Sequence, residues 1–330
     1  MKRLFFTTAL LTINLALISS VNAEINYCED LFKNGKYDQT VEACTTELRN
    51  TDSKDTQAHA YYYRGRAYEQ KGDSEKAFAD LTKALELNSK LYPANISLGM
   101  IYYHRGSFDK AIAEYNKALE LQPERLFLCA LYTNRGNAFA SQGHIDEAIA
   151  DFSKCIESST KNDSLARAYA MRGTAYLSKK EYDRSILDCS KAIELDSKFT
   201  AAYNQRGLAF HSKGKYDQAV ADFSKAIDLE PKGMYVYASY ANRGNSLKAQ
   251  GKYELAIFDY KRAIELKEKI PNTHYNMACA YALANKTHEA CLSLQKAIAN
   301  GYSNWGKIKT DSELGNLHDS PCYKSILHGE

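Results

Sequence analysis

Residues 200–231 read TAAYNQRGLAFHSKGKYDQAVADFSKAIDLEP, and close variants of this sentence return along most of the chain. Tyr203, Gly207 and Phe210 fall at helical spacing on one strip of a first helix. Gly214-Lys215-Tyr216-Asp217 breaks it, glycine supplying the left-handed turn that other residues resist. Ala219, Phe223 and Ala226 then mark a second helix that Pro231 ends. Small residues at Gly207, Ala219 and Ala226 let the two backbones approach, and Tyr203, Phe210 and Phe223 fill the space beside them.

The lead positions are Gly65, Gly99, Gly136, Gly173, Gly207, Gly244 and Ala278, spaced by 34, 37, 37, 34, 37 and 34 residues. A period in this range means a solenoid, whose units bury their apolar faces only by stacking. A degenerate earlier unit has Cys28 in the glycine place and Asn34-Gly35-Lys36-Tyr37-Asp38 as its turn. Lys180 and Asn285 replace turn glycines, and Ser185 and Cys155 replace small alanines. The expected layout is a signal at 1–23, a first hairpin at 24–57, seven units at 58–302 and a capping segment at 303–330, read as one domain.

The pattern resembles the tetratricopeptide repeat (TPR) family, whose aromatic, Gly, Tyr, Ala, Phe and Pro positions are matched in seven registers. The resemblance implies an all-α, right-handed superhelical solenoid of antiparallel helix pairs with a C-terminal cap. It also implies a non-enzymatic protein that holds a protein or extended peptide in a groove lined by first helices. On that mapping the groove residues are Tyr62, Tyr63, Arg66, Met100, Asn134, Asn137, Arg167, Gln205, Asn242, Asn245 and Asn276. Asn134, Gln205, Asn242 and Asn276 share one offset, and a primary amide offers a donor and an acceptor to a peptide unit. Solvated polar filler is the competing reading of these amides.

A second period runs beside the first. Arg64, Arg135, Arg172, Arg206 and Arg243 precede their lead glycines, and Asp80, Asp151, Asp188, Asp222 and Asp259 stand sixteen residues beyond each. Leu98 and Met277 take the arginine place in the remaining units, where Glu114 and Ser293 take the aspartate place. Aspartate thus occurs only where arginine does, which predicts five structural ion pairs within repeats. Partly exposed pairs of this kind contribute about 0.5–1 kcal/mol each. Binding of phosphate or carboxylate ligands by the arginines is the alternative.

The N-terminus follows another logic. Lys2 and Arg3 precede an apolar run from Leu4 to Ile18, and Val21-Asn22-Ala23 supplies small residues for cleavage before Glu24. The expectation is a cleaved signal, a periplasmic or secreted address and no membrane insertion afterwards. Removing Lys2 and Arg3 takes the formal charge from +3 to +1, which gives no electrostatic footprint for nucleic acid. Export brings oxidising conditions for eight cysteines. Cys28 and Cys44 lie at mirror positions about the Gly35 turn, on facing lines of their helices, and are expected to form a disulfide. Two buried free thiols are the alternative.

Nothing in the sequence marks catalysis. There is no His-Glu-x-x-His, no close Cys-x-x-Cys, no glycine-rich phosphate loop and no Gly-x-Ser-x-Gly. His104 and His211 lack a second ligand one turn away, so no metal or cofactor is expected. A structural subunit of an envelope or secretion assembly, using its ends or convex face, is the runner-up. An exported effector acting inside another cell is a third reading.

Overall fold

The computed structural model describes residues 27–328, and every regular element among them is a helix. The expected signal and its cleavage point before Glu24 lie outside these residues. No described helix is long and apolar enough to cross a membrane. The chain divides into two compact units, one ending at Ser159 and one beginning at Thr160.

The first unit holds α1 (27–33), α2 (Tyr37–Asn50), α3 (Lys54–Gln70), α4 (Ser74–Leu87), α5 (Tyr92–His104), α6 (Phe108–Glu120), α7 (Arg125–Ser141) and α8 (Ile145–Ser158). The second holds α9 (Asn162–Ser178), α10 (Tyr182–Leu195), α11 (Thr200–Ser212), α12 (Tyr216–Leu229), α13 (Val236–Ala249), α14 (Tyr253–Leu266), α15 (Pro271–Leu283) and α16 (Thr287–Ala299). It closes with α17 (Trp305–Thr310), a 3-10 helix (Ser312–Leu317) and α18 (Pro321–His328). Within each unit the odd-numbered helices from α3 to α15 are first helices, and each packs chiefly against the even-numbered second helix that follows. Successive first helices also touch, as α5 with α7 and α11 with α13.

The crossing of a hairpin depends on the lead glycine. A Cβ placed on Gly207 would sit 2.8 Å from Phe223 Cε1, so the ring occupies space that only glycine leaves open. Lys180 and Asn285 take the left-handed turn conformation despite their side chains, at φ 62° and 58°. Asparagine tolerates it, whereas Lys180 carries a local cost of about 1 kcal/mol. Of the three-residue insertions, those before Gly136 and Gly173 lengthen α7 and α9 to 17 residues, against 13 in α11. The insertion before Gly244 goes into the 230–235 loop.

The capping segment covers the last hairpin. Ile308, Leu314 and Leu317 are buried in its core cluster. Tyr275 stacks on Tyr302 with ring centroids 4.3 Å apart and donates a 2.7 Å hydrogen bond to Asp311. Lys248 of α13 pairs with Glu313, and Tyr323 donates to the Ile308 carbonyl. The outer face of α15 and α16, which has no further repeat to bury it, is covered in this way.

Candidate functional site

Two surfaces of the hairpins are candidates: the flank carrying the Arg–Asp period, and the face lined by first helices. On the flank, each arginine holds its aspartate with two parallel hydrogen bonds, Nε and Nη2 to the two carboxylate oxygens. In Arg206–Asp222 these measure 2.8 and 2.7 Å, and across the other four pairs they lie between 2.7 and 2.9 Å. This fork-to-fork geometry is the strong form of the interaction, and the carboxylates are buried. The aspartates hold Arg64, Arg172, Arg206 and Arg243 above the ordinary guanidinium range, chiefly through these hydrogen bonds.

The arginine has two further partners that sequence reasoning missed. Its guanidinium lies over the ring of the tyrosine three residues earlier: Tyr61, Tyr132, Tyr169, Tyr203 and Tyr240, at 5.3, 5.8, 5.6, 5.7 and 5.4 Å. In four of the five, the remaining Nη1 reaches back to the second helix of the preceding hairpin. Arg64 meets Thr45, Arg135 meets Asn116, Arg206 meets Ser190 and Arg243 meets Ser224, at 2.6 to 3.0 Å. In these four the assembly therefore closes one hairpin and joins it to its predecessor. With every described donor directed at protein, it functions as a structural brace. The recurring tyrosines and the small polar residues before each arginine were the available signal.

The first-helix face is less uniform than its period. Tyr62, Tyr63 and Arg66 are not free selectors: Arg66 donates to Tyr62 at 3.1 Å, pairs with Glu69 at 3.2 Å and lies over Phe32 at 5.1 Å. Tyr63 packs between Tyr62 and Phe32. The first hairpin claims these side chains because its α1 lies where an earlier first helix would. Asn245 and Asn276 are also engaged, since Asn276 Nδ2 and the Tyr260 hydroxyl both donate to Asn245 Oδ1 at 2.9 Å. Among the described residues, the side-chain amides of Asn134, Asn137, Gln205 and Asn242 make no hydrogen bond and stay part-exposed. Met100 is part-exposed and Arg167 is exposed. In the second unit this face is continuous, with Ser239 donating to Asn204 and His211 bonded to Ser246 between α11 and α13.

The cysteines correct the expected pairing. The described bonds are Cys129–Cys155 and Cys291–Cys322, while Cys28 and Cys44 are buried thiols. Cys28 and Cys44 do share one core cluster, but the Cys28 thiol donates to Glu47, one turn beyond Cys44, at 3.2 Å. Contact with Cys44 and burial raise that thiol well above its ordinary range. The Cys129–Cys155 bond obeys the same mirror rule about the Gln142 turn. The Cys291–Cys322 bond fastens α18 to α16.

Burial pushes the Cys189 and Cys279 thiols up to about 12, far from the thiolate that nucleophilic chemistry requires. Cys279, Asp311 and Glu313 bring three possible ligand atoms within 4.8 Å of one another. Their carboxylates already accept from Tyr275 and Lys248, so the trio acts as part of the cap's clasp.

Antiparallel hairpins stacked through a repeated brace define a helical-hairpin repeat protein. Tetratricopeptide repeat profiles match residues 58–91, 92–161, 166–199, 200–232 and 244–285. The chain belongs to the tetratricopeptide repeat family. A solved TPR protein from Parabacteroides merdae ATCC 43184 is similar over 79% of this chain and 98% of its own, at 20% identity and a TM-score of 0.59. The Cut9–Hcn1 hetero-tetramer of the APC/C aligns over 88% of this chain and 54% of the matched chain, so this chain spans about half of it, at 16% identity and a TM-score of 0.60. YrrB, described as a TPR protein with an unusual peptide-binding site, covers 60% of this chain and 98% of its own, at 22% identity and a TM-score of 0.50. At these identities the likeness carries the fold alone. No match to the chain was found among curated proteins.

Proposed function

We propose that this protein is an exported, non-enzymatic scaffold that holds a protein segment in extended form along its first-helix face. One observation carries the reading: Gln205 and Asn242 recur on successive first helices of the second unit with amides that no described residue uses. Asn134 and Asn137 present the same chemistry in the first unit. A peptide backbone offers a donor and an acceptor at every residue, and each bond to an amide contributes only about 0.5–1.5 kcal/mol. Affinity therefore accumulates along the face, with broad tolerance of partner sequence. The peptide-binding site described for YrrB supports the class of ligand. Export is supported by the charged start, the short apolar run and the Val21-Asn22-Ala23 site, together with two disulfides.

The second reading, docking through second helices in a larger assembly, is favoured by exposed Leu187, Leu255, Phe258 and Leu292 on α10, α14 and α16. Photo-crosslinkers placed at Asn242 and at Phe258 in the native host separate the two. Capture of one polypeptide from position 242 and not 258 is the expected result, and the reverse pattern replaces the groove by the second-helix surface. N-terminal sequencing of exported protein tests the address: the chain starts at Glu24, and recovery of Met1 would remove the export reading.

A further inference from the structure

The hairpin led by Ala278 lacks every member of the brace. His274 stands in the tyrosine place, Met277 in the arginine place and Ser293 in the aspartate place. Each side chain is smaller than the one it replaces, and the surrounding walls have not closed in. A cavity of about 310 Å³ remains, floored by Met277 and Tyr281 of α15 and flanked by Ile264 of α14 and Leu292 of α16. His274 belongs to this lining and is 4% exposed; the Glu268 backbone approaches its ring, and neither ring nitrogen has a side-chain hydrogen-bond partner. The Glu268 backbone can satisfy only one of the two ring nitrogens, so the other has given up its bond to water without replacement, which calls for a partner.

The chemistry of that partner follows from the walls. Burial holds His274 below its ordinary pKa, with Lys296 pushing the same way and the Glu268 backbone offsetting part of the effect. The ring is neutral at pH 7 and offers one donor and one acceptor. Lys261 and Lys296 border the cavity and are balanced by Glu265 and Glu289, so it favours neither cation nor anion. The carboxylate that grips a guanidinium in five other hairpins is Ser293 here.

We propose that this cavity takes a tyrosine side chain presented by a partner polypeptide, its ring on Met277 and Tyr281 and its hydroxyl on His274. In the braced hairpins the rings of Tyr61, Tyr132, Tyr169, Tyr203 and Tyr240 pack against the guanidinium whose space is open here, so that space already borders an aromatic-sized group in each of them. The site opens between second helices, away from the amide face, and stands independently of binding there.

Histidine-ring NMR of the full exported chain tests it, with the His274 signal identified by its loss in His274→Gln. Titration with N-acetyl-tyrosinamide shifts that signal, and N-acetyl-phenylalaninamide requires roughly tenfold more because it leaves the imidazole unpartnered. The combined change His274→Tyr, Met277→Arg, Ser293→Asp refills the cavity, raises Tm and abolishes binding, as read by tyrosinamide-induced shifts of Tyr281. Met277→Phe provides a second blocked variant should the triple change misfold. A His274 signal indifferent to tyrosinamide, a response to N-acetyl-argininamide at equal or lower concentration, or undiminished binding by a folded blocked variant each overturns the assignment.

Discussion

In the hairpin led by Gly99, Leu98 stands where arginine stands elsewhere; in the hairpin led by Ala278, Met277 does. The first has refilled the gap. Asn95 donates to Glu114 at 2.8 Å, Lys117 pairs with the same carboxylate, and Leu98 joins the core cluster around Leu81. The second has not: His274 and Ser293 form no such pair, and a cavity persists. Loss of the arginine therefore does not by itself open a pocket. What opens one is the loss of three bulky or charged groups together, without a substitute pair.

The largest effect should come from breaking the brace where it exists. Asp259→Ala strands the Arg243 guanidinium beside a buried site and should cost about 3 kcal/mol by chemical denaturation. Ser293→Ala at the same place in the last hairpin should cost well under about 1 kcal/mol. Equal losses would mean that the brace contributes no more than its packing.

The last hairpin depends instead on its covalent tie to the cap. Cys291→Ser should lower the stability of oxidised protein by about 2–4 kcal/mol and leave reduced protein nearly unchanged. Non-reducing peptide mapping should recover Cys129–Cys155 and Cys291–Cys322 as pairs and Cys28 and Cys44 as thiols. A Cys28–Cys44 peptide would restore the original expectation for the first hairpin.

Gly207→Ala should cost about 1–3 kcal/mol, because the new methyl meets the Phe223 ring. Gly65→Ala should cost less, since its nearest neighbour is Leu81 Cγ at 3.1 Å. The last hairpin already shows this tolerance, with Ala278 in the lead place and Leu294 in the ring's place.

The smallest effect concerns pH. His274 and His211 are both held below their ordinary pKa by burial, with lysines adding to it. The unfolded chain then binds these protons first, so stability is fully present above about pH 6.5 and falls as pH drops below it. His274→Phe should flatten part of that slope in pH-dependent thermal melts. An unchanged slope would leave His211 as its source.

The hairpin architecture was legible because the lead glycine, the turn and the second-helix alanines each impose a steric demand at a fixed offset. The Arg–Asp partnership was legible for the same reason, since residues sixteen apart meet across one hairpin. The triple contact of Arg64, Arg135, Arg206 and Arg243 was harder to read, because Thr45, Asn116, Ser190 and Ser224 share a role but no single identity. Cys129 and Cys155 were within reach of the mirror rule that drew attention to Cys28 and Cys44. The Lys248–Glu313 and Tyr275–Asp311 contacts were not, because the cap follows no period and its placement is settled only by packing. The His274 cavity needed His274 to be read together with Met277 and Ser293 as one replaced set.

Because Arg64, Arg135, Arg206 and Arg243 reach into the hairpin before them, the order of those hairpins is itself encoded. An arginine-bearing hairpin needs a small hydroxyl or amide at the end of its predecessor's reach. Lys261 occupies that place ahead of Met277. Moved in front of any arginine-bearing hairpin, it would set two like charges against each other. Rearranging these modules by recombination at their shared boundaries would preserve every helix and still yield a chain that assembles poorly, since each hairpin carries part of its neighbour's specification.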